Sequence, residues 1–585
     1  MRHLRGSRRP TERRLIVAVA TRWTRWTAAF LLLAITAMGC ASPSDRGETQ
    51  STTPRVQRNL VVSTGRLLTQ LGAWGLRDDE ARDVVSSGLV QRNLTNLQWQ
   101  GWMAEDLPSL EKGTLQLNPD GTMVATWKLR PNIKWHDGTA FDSSDLSFSL
   151  ELAKDPNLPI TERAFPDQVD RVETPDSQTW VVYLNRVHLA GRITNQNYLS
   201  VVPRHILEPL YRAGEYTALE NHPYWTSGFI GAGPYRVLDF LPAEVLEVEA
   251  FDDYFLGRPK IDRITWRLVG DRQVMLANIL TNSVDVTLRD ALTWDGALVA
   301  KEQWEGTGQG TVLLTPTNAQ GAGPGMSPFF EDVRVRQALL HAINRDEIKE
   351  TLSRGLIEVA YIPMVPGFPS YARVLSAATR YEFDPQRARS LLQDAGWTRG
   401  TDGVLTNQRG DRFAIDFEAA SGADLELLQA PVADYWRAIG VETQINNMPQ
   451  RALDTEEFRN RWPGVRMVTV FSDPGAWDDR YHSRFIPTEA NRWLGQNTGR
   501  WANPEKDRTL ADLFSAHIRA PNQVEDLYVR FAQLYTQDLP QWPIRYTVES
   551  TTYRTGLTGV YPKYGGASEY TRTWNIHLWE WTTGS

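Results

Sequence analysis

The chain has one cysteine among its 585 residues, Cys40, and this feature most strongly limits how it can fold. No disulfide can form within one molecule, so the folded body must be held by its hydrophobic core alone. A chain of this length is too long for one compact core, and two or three packed lobes are expected. Hydrophobic residues make up 41% of the sequence, which is ordinary for a globular protein.

The first forty residues have the features of an export signal. Eight arginines and one glutamate give this segment a net charge of +7. Residues 27–39 are mostly apolar, with the length of a signal-peptide core and too short to span a bilayer. The small residues before Cys40 resemble the lipobox of bacterial lipoproteins, in which the cysteine is lipidated and becomes the new N-terminus. Residues 1–40 are therefore predicted to be a lipoprotein signal peptide. Ordinary cleavage that leaves Cys40 as a free thiol is the alternative.

The rest of the chain is predicted to lie outside the cell membrane, on the outer face of the cytoplasmic membrane. Residues 41–57 are rich in Ser, Thr and Pro without apolar periodicity, which predicts a flexible tether. Of the net charge of −7, the residues after Cys40 carry −14. An acidic body argues against a nucleic-acid partner, because phosphates would repel it.

Short strands alternate with helices along the body, which predicts a mixed α/β class. Residues 115–129 contain a turn signal followed by alternating apolar residues, as in a half-buried hairpin. Asp142 is a predicted N-cap for a helix, and Asp384 is a second one, followed by proline at the first helical position. Gly396 is predicted to end that second helix. Apolar residues at helical spacing predict another helix over 335–343.

The sequence contains none of the common catalytic or cofactor motifs. A nucleophile elbow, a P-loop, an HExxH sequence and a dinucleotide fingerprint are all absent from it, and no histidine is spaced to bind a metal with another histidine or cysteine. We therefore expect no enzyme, no metal and no cofactor. Paired acids such as Asp252-Asp253 and Asp478-Asp479 are typical of solvated turns rather than of a glycosidase pair. The glycine cluster at 231–233 indicates a tight backbone crossing between lobes.

Four sets of residues, in order along the chain, are similar to one known family: the peptide and nickel group of extracellular solute-binding proteins, which serve ATP-binding-cassette (ABC) importers. The first set includes Trp135-His136-Asp137-Gly138, in which the histidine is expected to be structural. The sets are residues 102–106 with 128–138, 145–150, 231–235 with 254–264, and 330–338 with 342–345. In the last set Asn344 stands where the family usually has aspartate, and both residues can cap the next helix.

The resemblance implies a bilobal fold of the type II periplasmic-binding-protein class, with two hinged lobes around a ligand cleft and an extra inserted domain. The first lobe is expected to be discontinuous, and the second lobe continuous. The implied ranges are 58–88, 228–310 and 552–585 for the first lobe, 89–227 for the inserted domain, and 311–551 for the second lobe. The closed form is the one an importer recognises.

The resemblance also implies where a ligand binds. In peptide-binding members, an aspartate in the position of Asp473 pairs with the free α-amino group of the peptide. The alternative is that Asp473 only caps a Pro-Gly turn. A shifted register would make Asp478 or Asp479 the partner instead. Trp477, Tyr481 and Trp493 are candidate cavity walls, or else core residues of the lobe.

A peptide is the expected ligand, delivered to ABC permease subunits. An oligosaccharide or a nickel chelate on the same fold is the alternative, and the high tryptophan content also suits a sugar. A hydrolase is less favoured because the catalytic motifs are missing. A sensor or adhesin that serves no transporter is the third class.

Overall fold

The structure, a computed structural model, describes residues 58–66, 68–71, 79–158, 160, 163, 165–421, 424–449, 455–562 and 571–582. Cys40 and the predicted signal peptide and tether therefore lie outside the described residues. Within these ranges no helix is both long enough and apolar enough to cross a membrane.

The strands of the described residues lie in one large sheet and several small ones. In chain order they are β1 (Asn59–Thr64), β2 (Val90–Arg92), β3 (Trp99–Gly101), β4 (Leu115–Leu117), β5 (Met123–Lys128), β6 (Val169–Asp176), β7 (Thr179–Leu184), β8 (Tyr235–Leu241), β9 (Val245–Ala250), β10 (Arg263–Leu268), β11 (Val286–Thr287), β12 (Gly310–Pro324), β13 (Thr398–Arg399), β14 (Leu405–Thr406), β15 (Ala414–Ala420), β16 (Glu442–Met448), β17 (Val465–Val470), β18 (Trp542–Arg554), β19 (Leu557–Thr558) and β20 (Glu580–Trp581).

The helices alternate with these strands, which confirms the mixed α/β class. They are α1 (Asp79–Val85), α2 (Ser143–Lys154), α3 (Arg204–Arg212), α4 (Tyr216–Glu220), α5 (Arg272–Leu280), α6 (Trp294–Ala300), α7 (Val333–His341), α8 (Arg345–Ser353), α9 (Tyr371–Ala377), α10 (Pro385–Asp394), α11 (Asp424–Ala438), α12 (Glu456–Asn460), α13 (Trp477–Tyr481), α14 (Pro504–Arg519) and α15 (Val524–Asp538).

A ten-stranded sheet runs through the body in the order β16-β15-β17-β12-β18-β11-β1-β10-β9-β8. Its neighbouring strands β12 and β18, fourth and fifth in this order, are long and antiparallel, and they join its two parts. The C-terminal end of β18 pairs with β11, whereas residues 319–324 of β12 pair with β17. The β12–β18 register is broken between Pro316 and Ala319 and again between Gln320 and Gly321. Such breaks bend a strand and increase its twist, so the sheet is irregular where its halves meet.

Separate hydrophobic cores surround this sheet, as expected for a chain too long for one core. One core packs around β1, β9 and β10, and another packs α7, α10 and α11 against β15 and β17. A third lies under the four-stranded sheet β4-β5-β7-β6 and contains Trp127, Trp135 and Trp180. A fourth packs α14 and α15 beside β17 and contains Trp477.

Several local predictions are confirmed. Asp142 caps α2 in a reciprocal capping box with Asp145, and Asp384 caps α10. Gly396 follows α10 with a φ of +87°, a left-handed conformation that favours glycine. Asn344 caps α8 by accepting from the Glu347 N–H. The stripe predicted over 335–343 forms α7, which ends two residues earlier, at His341.

The glycine cluster and His136 form one packed contact. The tight crossing is present as predicted, but Val85 and the glycines both fall in the ranges given for the first lobe, so it is not a crossing between lobes. A Cβ atom on Gly231 or Gly233 would meet the backbone of Val85 at 1.9 Å and 2.3 Å respectively, so only glycine fits at these positions. The Gly231 N–H donates to Nδ1 of His136 at 3.1 Å, and Nε2 donates to the Gly233 carbonyl at 3.0 Å. Burial lowers the pKa of His136 to about 4. The ring is therefore a neutral structural histidine.

Candidate functional site

A cavity of about 250 Å³ lies between residues 92–107 and 189–193 on one side and residues of α14, α15 and the loop after β17 on the other. Four aromatic side chains line it: Trp99, Phe368, Phe514 and Tyr528. The charged or titratable lining residues are Arg92, Arg192, Asp473 and His517. Apolar walls with a few polar groups are typical of small-molecule sites, so this cavity is the candidate binding site.

Asp473 is placed on this cavity by the strand that precedes it. The buried strand β17 ends at Val470, and the chain then turns at Pro474–Ala476 in a short 3-10 helix. Asp473 caps that turn, with Oδ1 accepting from the Gly475 N–H at 2.7 Å. Only 4% of the residue is exposed. The sequence predicted either a turn cap or a ligand contact for Asp473. In the structure, Asp473 caps the turn and also lines the cavity.

The residue before Asp473 ties the loop to the irregular part of β12. Ser472 is fully buried, and its Oγ accepts from the Ala319 N–H at 3.1 Å. Its own N–H donates to Oδ1 of Asn318 at 3.2 Å. Both partners lie at the register break between β12 and β18. The cavity loop is thus fixed to the place where the two halves of the sheet meet.

Trp477 and Tyr481 lie in the core rather than on the cavity wall. The Trp477 ring stacks on Phe531 at 4.0 Å, and its Nε1 donates to the Pro363 carbonyl at 3.1 Å. Tyr481 donates its hydroxyl to the Phe471 carbonyl at 3.1 Å. Trp477 also meets Tyr528 edge to face at 5.7 Å. Because Tyr528 lines the cavity, Trp477 supports that wall from behind.

Trp493 is half-buried away from the cavity. The guanidinium carbons of Arg461 and Arg500 lie 5.5 Å and 5.7 Å from its ring centre. Contacts of this kind stabilise a loop by cation–π attraction. The structure therefore does not bring Trp493 together with Asp473 on the cavity wall.

Asp478 is a buried member of an ionic cluster. Its carboxylate is ion-paired with Arg484, and it lies 3.6 Å from Arg186 Nη2 and 3.7 Å from His188 Nε2. Burial alone would raise the pKa of Asp478, but His188 and the two guanidinium groups outweigh it and hold that pKa well below its usual range. Asp252 and Asp253 are exposed, as predicted for adjacent acids. For Asp478 the expectation of a solvated turn was wrong, because three partners compensate its charge.

Asp478 does not line the cavity, and nor does its neighbour Asp479, which is half-buried on α13. The cluster instead joins two distant parts of the chain. His188 stacks on Phe514 of α14 with ring centres 4.8 Å apart and planes 2° from parallel. Arg186 and His188 belong to the segment before residue 193, and Asp478 belongs to α13. Asp478 therefore connects the two walls outside the cavity.

Sequence reasoning did not identify Arg92, Arg192 and His517 as cavity residues. Burial, and then the charge of Arg92, lowers the pKa of His517 to about 4, so its imidazole is neutral near pH 7. The Tyr528 hydroxyl lies 3.2 Å from His517 Nε2. His517 is more than 300 positions from both arginines, and none of the three stands in a motif, so only the fold brings them together. Within the described ranges, no group of three or more His, Cys, Asp or Glu side chains could hold a metal ion.

Comparison with known families gives a match over most of the chain. Residues 98–485 match the family model described as "Bacterial extracellular solute-binding proteins, family 5 Middle". Five Brucella proteins with names of the ABC transporter peptide-binding type are 29% identical over 286 residues. That match spans about half the length of these curated relatives, 51% of each, and 49% of this chain. The oligopeptide-binding protein AppA of Bacillus subtilis is 23% identical over 86% of this chain and 90% of its own.

Solved structures share the fold across nearly the whole chain. The oligopeptide-binding protein of Thermus thermophilus, solved with a pentapeptide, has a TM-score of 0.75 at 21% identity and covers 89% of this chain and 96% of its own. NikZ of Campylobacter jejuni, solved with Ni(L-His), has a TM-score of 0.73 at 20% identity, with coverages of 89% and 99%. The predicted bilobal type II fold is thereby confirmed.

Proposed function

Because the chain belongs to family 5 of the bacterial extracellular solute-binding proteins, we propose that it is the substrate-binding component of an ABC importer and captures peptides that have a free α-amino group. The observation that carries this proposal is the buried carboxylate of Asp473 on the wall of the cavity. A carboxylate removed from water strongly favours a cationic partner, and a peptide N-terminus supplies one. The AppA protein, named for oligopeptides, is similar over most of this chain.

The lobes are proposed with the boundaries given by the resemblance: 58–88, 228–310 and 552–585 for the first, 311–551 for the second, and 89–227 for the inserted domain. The sheet β4-β5-β7-β6 falls wholly within the inserted range, which supports that assignment. The strands β12 and β18 pass between the two halves of the large sheet, so they are the natural hinge. A ligand that touches both walls of the cavity would favour the closed state.

Delivery to permease subunits, anchoring through Cys40 and the absence of turnover belong to the same proposal. Two acyl chains on Cys40 hold a protein on a membrane, because each buried CH₂ contributes about 0.8 kcal/mol. Replacing Cys40 by alanine should therefore release the protein from salt-washed membranes or block its maturation. Unchanged retention of that variant would remove the anchor from the proposal without affecting the binding function.

The binding function is tested by calorimetric titration of the full-length protein with trialanine and with N-acetyl-trialanine. We expect the acetylated peptide to bind at least about 30-fold more weakly, because it has no ammonium group for Asp473; that factor corresponds to about 2 kcal/mol. The ligand should be recovered chemically unchanged. Equal affinities would refute pairing with the α-amino group, and cleavage of the peptide would favour the hydrolase alternative.

A further inference from the structure

Arg186 and His188 present two hydrogen-bond donors to one carboxylate across the proposed domain boundary. Both follow β7 in the inserted range, whereas Asp478 lies on α13 in the second lobe. Arg186 Nη2 is 3.6 Å and His188 Nε2 is 3.7 Å from the same oxygen, Oδ2 of Asp478. N–H···O hydrogen bonds are about 2.7–3.2 Å long, so both donors stop roughly half an ångström short.

Neither donor has a hydrogen-bond partner among the described residues. Arg186 Nη2 and His188 Nε2 are both inaccessible to solvent. His188 Nδ1 accepts from the Ala190 N–H at 3.1 Å, which places the ring hydrogen on Nε2, the atom that faces Asp478. A buried donor without an acceptor costs free energy. One small movement of this segment toward α13 would satisfy both donors at once, because they share one acceptor.

Asp478 can release these two donors without becoming an unpaired buried charge. Its carboxylate is also ion-paired with Arg484, six residues later in the same lobe, and that pair does not depend on Arg186 or His188. The Arg186 side chain is already about a third exposed, so opening would return its guanidinium group to water. Because no buried charge is left uncompensated, this contact can form and separate repeatedly.

A second contact across the same boundary is fully formed. Arg492 Nη2 donates to the Pro156 carbonyl at 2.7 Å, from the second lobe to the inserted range. Arg492 and Trp493 have φ values of 55° and 63°, a left-handed conformation that is unfavourable for both, so contacts hold this loop in place. The boundary is therefore closed at Pro156 and one small step from closed at Asp478.

We propose that Arg186, His188 and Asp478 form a latch: when a ligand draws the lobes together, both donors come within hydrogen-bond distance of Asp478 and hold the closed form. This inference rests on the proposed function. None of the three residues lines the cavity, so the latch lies outside the ligand site. It should therefore set how long a ligand stays bound rather than which ligand binds.

The test is the rate at which trialanine dissociates from the full-length protein, measured by stopped-flow tryptophan fluorescence. Arg186→Gln and His188→Asn should each release trialanine at least about fivefold faster, while the association rate stays within about twofold of wild type. The asparagine at position 188 can still cap the turn that begins at Leu189, but its shorter side chain ends farther from Asp478.

Arg258→Gln is the matched control for Arg186→Gln. The Arg258 side chain is 33% exposed, against 31% for Arg186, and its ion pairs with Asp252 and Asp262 both lie inside the first lobe. Its loss removes a comparable ion pair without touching the boundary between the lobes. This variant should release trialanine like wild type, and faster release would show that the effect is not specific to the latch.

A double variant separates the latch from two independent losses. If Arg186 acts through Asp478, combining Arg186→Gln with Asp478→Asn should release trialanine no faster than Asp478→Asn alone. Additive acceleration would overturn the latch while peptide binding stands, and so would unchanged dissociation in Arg186→Gln and His188→Asn. If Arg186→Gln does not fold, His188→Asn takes its place in the double variant.

If wild type binds no trialanine, the proposed peptide function fails and the latch is decided without ligand. Small-angle X-ray scattering should then give a larger radius of gyration for Arg186→Gln than for wild type and Arg258→Gln, because the open form is more populated. Equal radii in all three proteins would overturn the latch as well.

Discussion

Asp473 and Asp478 are five residues apart, and each has only 4% of its surface exposed, yet they lie in different environments. Asp478 is surrounded by Arg186, His188 and Arg484 and does not line the cavity. Asp473 accepts a hydrogen bond from the backbone N–H of Gly475 and lines the cavity. The charge of Asp478 is compensated by side chains of the protein away from the cavity, whereas Asp473 lies on the cavity wall, where we propose that a ligand binds.

The comparison shows that burial alone does not identify a functional acid. Both carboxylates carry the cost of leaving water. What distinguishes them is that Asp473 lines the cavity and Asp478 does not. The partners of Asp478 come from two separate segments of the chain, so its role is to hold those segments together. An acid on a cavity wall can instead meet a partner from outside.

The largest expected effect is on folding stability. Replacing Asp478 by alanine should lower the free energy of unfolding by about 2–3 kcal/mol, because it removes the buried acceptor of the Arg484 ion pair and leaves Arg186 and Arg484, each about a third exposed, without it. Replacing Asp473 by alanine, without ligand, should cost less, because it removes a turn cap but no cluster of three ionic partners. Chemical denaturation of both variants beside wild type measures the difference. Equal losses would break the distinction between the two acids.

A smaller effect concerns ligand discrimination. Asp473→Asn keeps an acceptor for the Gly475 N–H but loses the negative charge, so it should lose about 2 kcal/mol of trialanine binding, roughly 30-fold. It should then bind free and N-acetylated trialanine alike. Asp478→Asn, the matched control, should keep the wild-type ratio between the two peptides even if both bind more weakly. A changed ratio in Asp478→Asn would place that acid at the ligand instead.

The smallest effect is the response to acid. Because the folded-state pKa of Asp478 lies below its ordinary value of 3.8, its ion pairs contribute stability above about pH 4 and lose it as the pH falls through the folded-state pKa. The difference in melting temperature between wild type and Asp478→Asn should stay nearly constant from about pH 7 to 5 and shrink below about pH 3.8. Titrating groups away from Asp478, His136 among them, are present in both proteins and cancel. His188 and His482 interact with Asp478, and burial lowers the pKa of each below its ordinary value of 6.5. A difference that shrinks already near pH 6 would contradict this assignment.

Local sequence signals predicted local structure well. The caps at Asp142 and Asp384 and the end of a helix at Gly396 all depend on a few neighbouring residues. The mixed α/β class followed from many such signals. The close backbone approach at Gly231 was also predicted from the sequence, because two glycines beside a proline are typical of such an approach.

The cavity could be predicted only in part. Asp473 was identified because peptide-binding members of the family have an aspartate at the same position. Trp477 and Tyr481 were predicted as candidate wall residues together with Asp473. The direction of a side chain on a short helix depends on packing, however, and Trp477 stacks on Phe531 in the core. Arg192 and His517 lie far from Asp473 in sequence, and their meeting depends on how residues 89–227 pack on α14. No local sequence pattern indicates that contact.

The attachment of Ser472 to Asn318 and Ala319 has a mechanical consequence. The loop that holds Asp473 and the broken register of β12 share two hydrogen bonds and form one stiff unit. A displacement of the Asp473 carboxylate would therefore act directly on the backbone of β12, at the break in its pairing with β18. A ligand bound at Asp473 would therefore act on the proposed hinge in β12 through Ser472, and no separate relay between the two is needed.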